Sequence, residues 1–137
     1  METSSSTSLN TGYPLYDTHG NMVATAQVLN NGNSWQTGNI RQYDVWGSVR
    51  QGASTGDPKG RYCANLGHVQ DDESGLVYMR ARYYEPGTGR FISEDPARDG
   101  ENWYEYAKNR PVEYRDYSGK TAELDDYLGK MLKYIVL

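Results

Sequence analysis

Aliphatic bulk is what this sequence has least of. Leu, Ile, Val and Phe together number 21 of 137 residues, about 15%, and Phe occurs once. A share below roughly 20% ordinarily marks chains that stay unfolded, but only alongside a high net charge, and here the net charge is −4. The single cysteine, Cys63, excludes an internal disulfide. No apolar run is long enough to cross a bilayer. The opening METSSSTSLN has neither the charged start nor the apolar stretch of a secretory signal. The chain is therefore expected to be cytoplasmic, exported by another route, or a processed or partial product. An acidic balance, with pI near 5.1 and arginines interleaved among acids, argues against a nucleic-acid partner. No Asn-x-Ser/Thr acceptor is present, which argues against N-linked sugar.

Aromatic residues fill the gap, with thirteen Tyr and three Trp. Each buries a large area but keeps a polar tip that needs a partner. The expected core is thin, aromatic and laced with hydrogen bonds, and gains from neighbours. A short motif recurs through the chain. Tyr16-Asp17-Thr18-His19-Gly20 is echoed 27 residues later by Tyr43-Asp44-Val45-Trp46-Gly47. The D-x-x-G part returns at Asp57–Gly60, Asp72–Gly75 and Asp116–Gly119, and a longer variant ends at Gly89. In such a turn the aspartate accepts from backbone N–H groups ahead of it. The glycine takes a positive φ and returns the chain into the next strand.

Strands are expected over Thr25–Leu29, Ile40–Trp46 and Leu76–Tyr84, the last with bulk on both faces and so partly covered on both. Asn30-Asn31-Gly32-Asn33 is a turn signal. Leu124, Tyr127, Leu128, Met131, Leu132 and Ile135 follow helical spacing, with Thr121 as a cap. The fold class expected is mainly β, made of short antiparallel hairpins, with one C-terminal amphipathic α-helix. Three segments follow: a Ser/Thr-rich tail over 1–12, a β domain over 13–120 and the helix over 121–137.

The stretch DDESGLVYMRARYYEPGTGRFISEDP resembles the signature of the RHS-repeat-associated core of Rhs/YD-repeat proteins. The Y-D-x-x-G units resemble YD repeats, and NWYEYAKNRPVEYRDYSGK resembles the end of that core. The resemblance covers about Tyr13 to Lys120. It implies a segment of a large β shell that encloses a toxin, and an extracellular or cell-surface setting. In many bacterial members it also implies a self-cleaving aspartyl pair near the end of the core. The matching residues are Asp95 and Asp116. The family's D-P-x-G pattern is broken at both: Arg98 replaces the first glycine and Tyr117 the second proline. Eighteen residues follow Gly119, so little is expected to be released. Both aspartates then read first as turn residues.

Other residues offer weaker chemistry. His19, His68 and Cys63 lack metal-ligand spacing, so no metal or cofactor is expected. Trp35, Trp46 and Trp103 suit a carbohydrate partner by stacking. Arg80, Arg82 and Arg90 suit pairing with Glu85, Glu94 or Asp95, or stacking on tyrosines. With Tyr78, Tyr83, Tyr84 and Phe91 they make up the central hairpin. The expectation is a non-enzymatic β-structural module acting through assembly, as a homo-oligomer or polymer or with a longer Rhs-type chain. The alternatives are a self-assembling fibre, tube or ring subunit, and a residual self-cleaving aspartyl protease.

Overall fold

The structure, a computed structural model, describes residues 12–98 and 100–124. Strands β1 (Gly12–Tyr16), β2 (Met22–Leu29) and β3 (Ser34–Gly38) make a three-stranded antiparallel sheet. Strands β4 (Gln42–Tyr43) and β5 (Val49–Gln51) pair alone. Strands β6 (Val69–Gln70), β7 (Val77–Met79), β8 (Arg82–Glu85) and β9 (Arg90–Phe91) form a four-stranded meander. Strands β10 (Tyr114–Arg115) and β11 (Glu123–Leu124) close the order. The mainly β class with short antiparallel hairpins is the architecture observed.

Three sequence expectations change. The run Ile40–Trp46 is a strand only over Gln42–Tyr43, because the turn begun by Asp44 ends it. The run Leu76–Tyr84 is two strands, not one. Met79 pairs with Arg82, and Arg80 and Ala81 form the tip of a tight hairpin. Arg80 takes φ +61 there. Its guanidinium lies 4.0 Å over the Tyr117 ring and donates to the carbonyl of Leu66 at 3.1 Å. These tertiary contacts offset a backbone state that non-glycine residues avoid. The break also restores a two-sided alternation. Val77, Met79, Arg82, Tyr84 and Phe91 face inward, while Tyr78 and Tyr83 stand outward with ring centroids 5.3 Å apart. At the other end, Glu123 and Leu124 are a strand against Arg115 and Tyr114, because β10 offers open backbone partners there. The rest of the expected helix, 125–137, lies outside the described residues, as do residues 1–11 of the tail.

The core sits under the meander. Tyr62, Cys63, Val77, Met79, Tyr84, Phe91, Tyr106 and Ala107 form one buried cluster. Its rings pack in stacked, tilted and edge-on pairs, with Tyr62 and Tyr84 stacked at 6.0 Å, Tyr84 and Tyr106 tilted at 4.2 Å and Phe91 edge-on to Tyr106 at 5.8 Å. The hydroxyls reach partners. Tyr62 donates to the carbonyl of Val45 at 3.1 Å, Tyr106 to the Tyr62 hydroxyl at 3.3 Å, and Tyr84 to the carbonyl of Trp46. The Asp44–Gly47 turn thus seats its carbonyls on the aromatic core. Burial pushes all three phenols up, well out of the titrating range. Tyr84→Phe is expected to cost about 1–2 kcal/mol, because the Trp46 carbonyl loses its buried donor. A urea midpoint unchanged from wild type would refute that.

Buried arginines supply the remaining adhesion. Arg41 donates to the carbonyls of Ala53 and Pro58 at 2.7 and 2.9 Å. Arg61 reaches Gln70 at 3.1 Å and Asp72 at 2.6 Å. Arg115 holds the carbonyl of His19 at 3.0 Å and Asn65 Oδ1 at 3.1 Å. A guanidinium carries five donors in a fixed fork, so one side chain can bind several loop carbonyls at once.

Candidate functional site

The aspartate turns are built from like parts. Asp17 Oδ1 accepts from the backbone N–H of His19 at 3.0 Å and of Asn21 at 2.9 Å. Asp44 Oδ1 accepts from Trp46 at 3.0 Å and Ser48 at 2.9 Å. Gly20 and Gly47 take positive φ, and each N–H returns to the aspartate carbonyl. Tyr16 ends β1 in the open, while the Tyr43 hydroxyl reaches the carbonyl of Met22 at 2.8 Å. Asp72 differs from the sequence expectation. Its neighbour Asp71 caps the turn that ends at Gly75, through the N–H of Ser74 at 2.8 Å. Asp72 instead turns to Arg61 and to the N–H of Gly56, because the buried guanidinium there demands an anion. Gly89 closes the β8–β9 turn with its N–H on the carbonyl of Glu85 at 2.9 Å. Arg90 sits exposed on β9, and its backbone pairs with that of Glu105 in an isolated antiparallel β-bridge.

Asp95 and Asp116 stand apart from this series because the fold brings them into one cleft. Arg82, Asp95, Asn102, Trp103, Glu105, Ala107, Lys108, Asp116, Lys120, Thr121 and Ala122 line a space of about 150 Å³. Asp95 is 7% exposed and Asp116 is 2% exposed. Both carboxylates act on the Arg82 guanidinium. Arg82 Nη2 lies 3.8 Å from Asp116 Oδ2. Its Nη1 donates to the carbonyl of Trp103 at 3.0 Å, its Nε to the carbonyl of Gly119, and its plane lies 3.6 Å over Phe91.

Each aspartate is held firmly. Asp95 Oδ1 accepts from the N–H of Ala97 at 2.9 Å, and its own N–H donates to the carbonyl of Trp103 at 2.8 Å. Asp116 Oδ1 accepts from Gly119 at 2.7 Å and Thr121 at 3.3 Å. Burial raises the Asp116 carboxyl above the usual carboxylate range, and the Gly119 bond and Arg82 pull the other way. Arg82 is itself lowered, chiefly by burial. Arg98, at the position of a family glycine, takes φ +50. It adopts the conformation a glycine would supply, with its guanidinium 5.1 Å over Trp103 and 3.9 Å from Glu94.

Turn residue and site residue are therefore not exclusive readings of Asp95 and Asp116. The sequence marked Arg82 as a hairpin residue that suits pairing with Glu85, Glu94 or Asp95, not as a group common to Asp95 and Asp116. Its inward position on β8 is what places it at the two carboxylates, and an arginine at an inward strand position was the available signal. The three tryptophans occupy separate settings. Trp35 is exposed beside Tyr13, Trp46 packs on the core, and Trp103 lines the cleft. Cys63 is fully buried, and among the described residues no group of three or more His, Cys, Asp or Glu could hold a metal.

No protein-family model matches the chain. It is 36% identical over 110 residues to a tRNA3(Ser)-specific nuclease WapA of Bacillus spizizenii, covering 76% of this chain and 4% of that protein. It is 40% identical over 80 residues to a double-stranded DNA deaminase toxin A of Burkholderia cenocepacia, covering 55% and 6%. It is 36% identical over 77 residues to a protein of Dickeya dadantii named "Probable deoxyribonuclease RhsB", covering 55% and 5%. Among solved structures, TcdB2-TccC3-TEV matches with a TM-score of 0.64 at 27% identity, over 79% of this chain and 5% of that one. The expectation of a non-enzymatic structural module, with its fibre, tube or ring variant, is overturned by these relatives, which are named for nuclease and deaminase activities. The broken D-P-x-G pattern and the thin aromatic composition point toward a structural module, but neither decides what an assembled cleft can do. The chain spans only 4–6% of the length of these relatives, which are nucleases and toxins, one of them an Rhs protein.

Proposed function

We propose that this chain is a self-cleaving segment of an Rhs-type toxin protein, with Asp95 and Asp116 as its catalytic pair. The observation that carries this reading is the shared cleft. Two buried carboxylates and Arg82 line it together with Lys120, Thr121 and Ala122, the chain just beyond Asp116. The segment to be cut thus already lies beside the groups that would cut it, which removes the entropy cost of bringing them together. The relatives add a second support. A tRNA nuclease and a DNA deaminase are each similar to part of this chain, and one short stretch does not carry both of those reactions. A common processing step suits what they share.

Peptide hydrolysis by two carboxyls needs one to hold a proton and the other to lack it. Burial favours the proton on Asp116, against the pull of Arg82 and the Gly119 bond, and in its protonated form Asp116 acts as general acid to the leaving amide nitrogen. Asp95 acts as base and takes a proton from the attacking water. The water oxygen bonds to the carbonyl carbon, and the C–N bond then breaks as the nitrogen accepts the Asp116 proton. Arg82 orients both carboxylates and offsets the charge that remains.

Intact mass of the purified chain tests this. The wild type is expected to lose a C-terminal piece beginning near residues 120–122, while Asp95→Asn and Asp116→Asn remain whole. A wild-type chain that stays whole across acid and neutral pH, or variants that are cut equally well, would sink the proposal.

A further inference from the structure

His68 lies beneath the turn that carries Asp116. It is 1% exposed, and its Nε2 is 3.2 Å from the carbonyl oxygen of Tyr117, the residue after Asp116. A carbonyl can only accept, so Nε2 carries the hydrogen and donates. Nδ1 is then the bare nitrogen, buried and without a hydrogen-bond partner. A second donor, Arg80 Nη1, reaches the same carbonyl at 3.3 Å from the tip of the β7–β8 hairpin. On the near side of Asp116, Arg115 is anchored to His19 and Asn65. The stretch Arg115-Asp116-Tyr117 is therefore fixed at both ends, and His68 is one of its pins.

The charged surroundings oppose a second proton on this ring. Arg80 from the hairpin tip and Arg115 from β10 both face it as cations. On the acidic side, Asp116 precedes the bonded Tyr117, and Glu123 of β11 lines a cleft with Arg115 and Tyr117. Burial, the largest cause, holds the ring below the ordinary histidine range, the two arginines add to this, and the Tyr117 bond opposes it.

We infer that His68 is a positioning residue for Asp116. As a neutral ring with hydrogen on Nε2, it fixes the Tyr117 carbonyl and through it the Asp116 carboxyl; a second proton, on Nδ1, makes it a buried cation facing Arg80 and Arg115, and release of the hold then comes from expulsion of the charged ring from its site, not from loss of the Nε2 donor. The inference rests on the reading of Asp95 and Asp116 as a self-cleaving pair, and it adds an acid-sensitive control to that site. His68 touches neither the scissile segment nor the reacting atoms in this account.

Two measurements on the full chain decide it. In the first, the rate of C-terminal loss is followed by intact mass across pH for wild type, His68→Gln and His68→Phe. Glutamine keeps an N–H donor near the Nε2 position but cannot take up a proton. His68→Gln is expected to cut within about threefold of wild type at neutral pH, with its acid limb moved to lower pH. His68→Phe is expected to be slower by about tenfold or more, the effect of one lost buried donor. Equal acid limbs in wild type and His68→Gln, or full activity in His68→Phe, would overturn the inference. The second measurement is the ring nitrogen spectrum of His68 in the wild-type chain. A protonated Nε2 and a bare Nδ1 at neutral pH are expected, and the opposite tautomer or a charged ring would overturn the inference even if no cleavage occurs. A wild-type chain that never cuts but shows the expected tautomer removes the proposed self-cleavage and reduces His68 to a structural pin, which also ends the positioning role.

Discussion

Replacing Arg82 with leucine is expected to destabilise the chain by about 3–5 kcal/mol, the cost of leaving a buried charge without its partner. The Arg82 side chain is 3% exposed and that of Asp116 is 2% exposed, so water cannot take over the lost contacts. The loss is more than electrostatic. The carbonyls of Trp103 and Gly119 lose donors, and Phe91 loses the plane stacked on it. The pH dependence has a definite sign. Burial already holds the Asp116 proton more tightly in the folded chain than in the unfolded one. Folding is therefore favoured on the acid side and disfavoured as pH rises through the raised Asp116 value. Removing Arg82 raises that value further, so the gap between R82L and wild type should narrow in acid. Urea midpoints for wild type, R82L, D116N and the double variant measure it. The double variant should be less damaged than the sum of the singles, because neutralising Asp116 removes the orphaned charge. Strict additivity, or a gap that widens in acid, would mean that the two groups are not coupled.

Gly119→Ala is the second change with a large expected effect. Gly119 takes φ +73, and a Cβ there would lie 2.1 Å from the carbonyl oxygen of Met79 and 3.0 Å from the N–H nitrogen of Arg82. The D-x-x-G turn of Asp116 is pressed directly onto the tip of the β7–β8 hairpin, where the N–H of Ala81 also donates to the carbonyl of Ser118 at 3.1 Å. Gly75 serves as the internal control. It has the same φ of +73 but nothing within 4 Å of an added Cβ. Gly75→Ala should cost only the conformational part, about 1–2 kcal/mol. Gly119→Ala should cost roughly 3 kcal/mol or more, because the clash is with backbone and the hairpin must move. Thermal unfolding of the two variants separates these contributions, and equal losses would mean that the close approach is not maintained in solution. Self-cleavage should also fail in Gly119→Ala, since the displaced hairpin carries Arg82.

The turns were legible because their chemistry is local. An aspartate accepting from the amides just ahead of it, and a glycine returning the chain, need no knowledge of the rest of the molecule, and Asp17 and Asp44 follow that pattern. The hairpin tip at Arg80 and Ala81 was not legible, since neither residue is a turn former. The left-handed state of Arg80 is held by Leu66 and Tyr117, which are distant in sequence. The aromatic core was legible in composition but not in membership. Tyr62 and Tyr106 lie in irregular segments with no period to mark an inward face, while Tyr78 and Tyr83 lie in strands and point outward. Asp95 and Asp116 were found by motif, yet their convergence with Arg82 depends on how three segments dock. A spacing of residues does not encode that. Asp72 was assigned to its turn because its spacing to Gly75 is right, but Asp71 is one residue away and equally able to cap.

The cleft draws Arg82, Asp95, Trp103 and Asp116 from four separate stretches of chain, and no two adjacent residues among them can make it alone. If the pair cuts its own backbone, the cut becomes a receipt for completed folding. A chain still in production, or one trapped with a misplaced hairpin, has no assembled blade and stays in one piece. Severance would then be tied to maturity without any external sensor, and a population of cut molecules would have certified its own architecture.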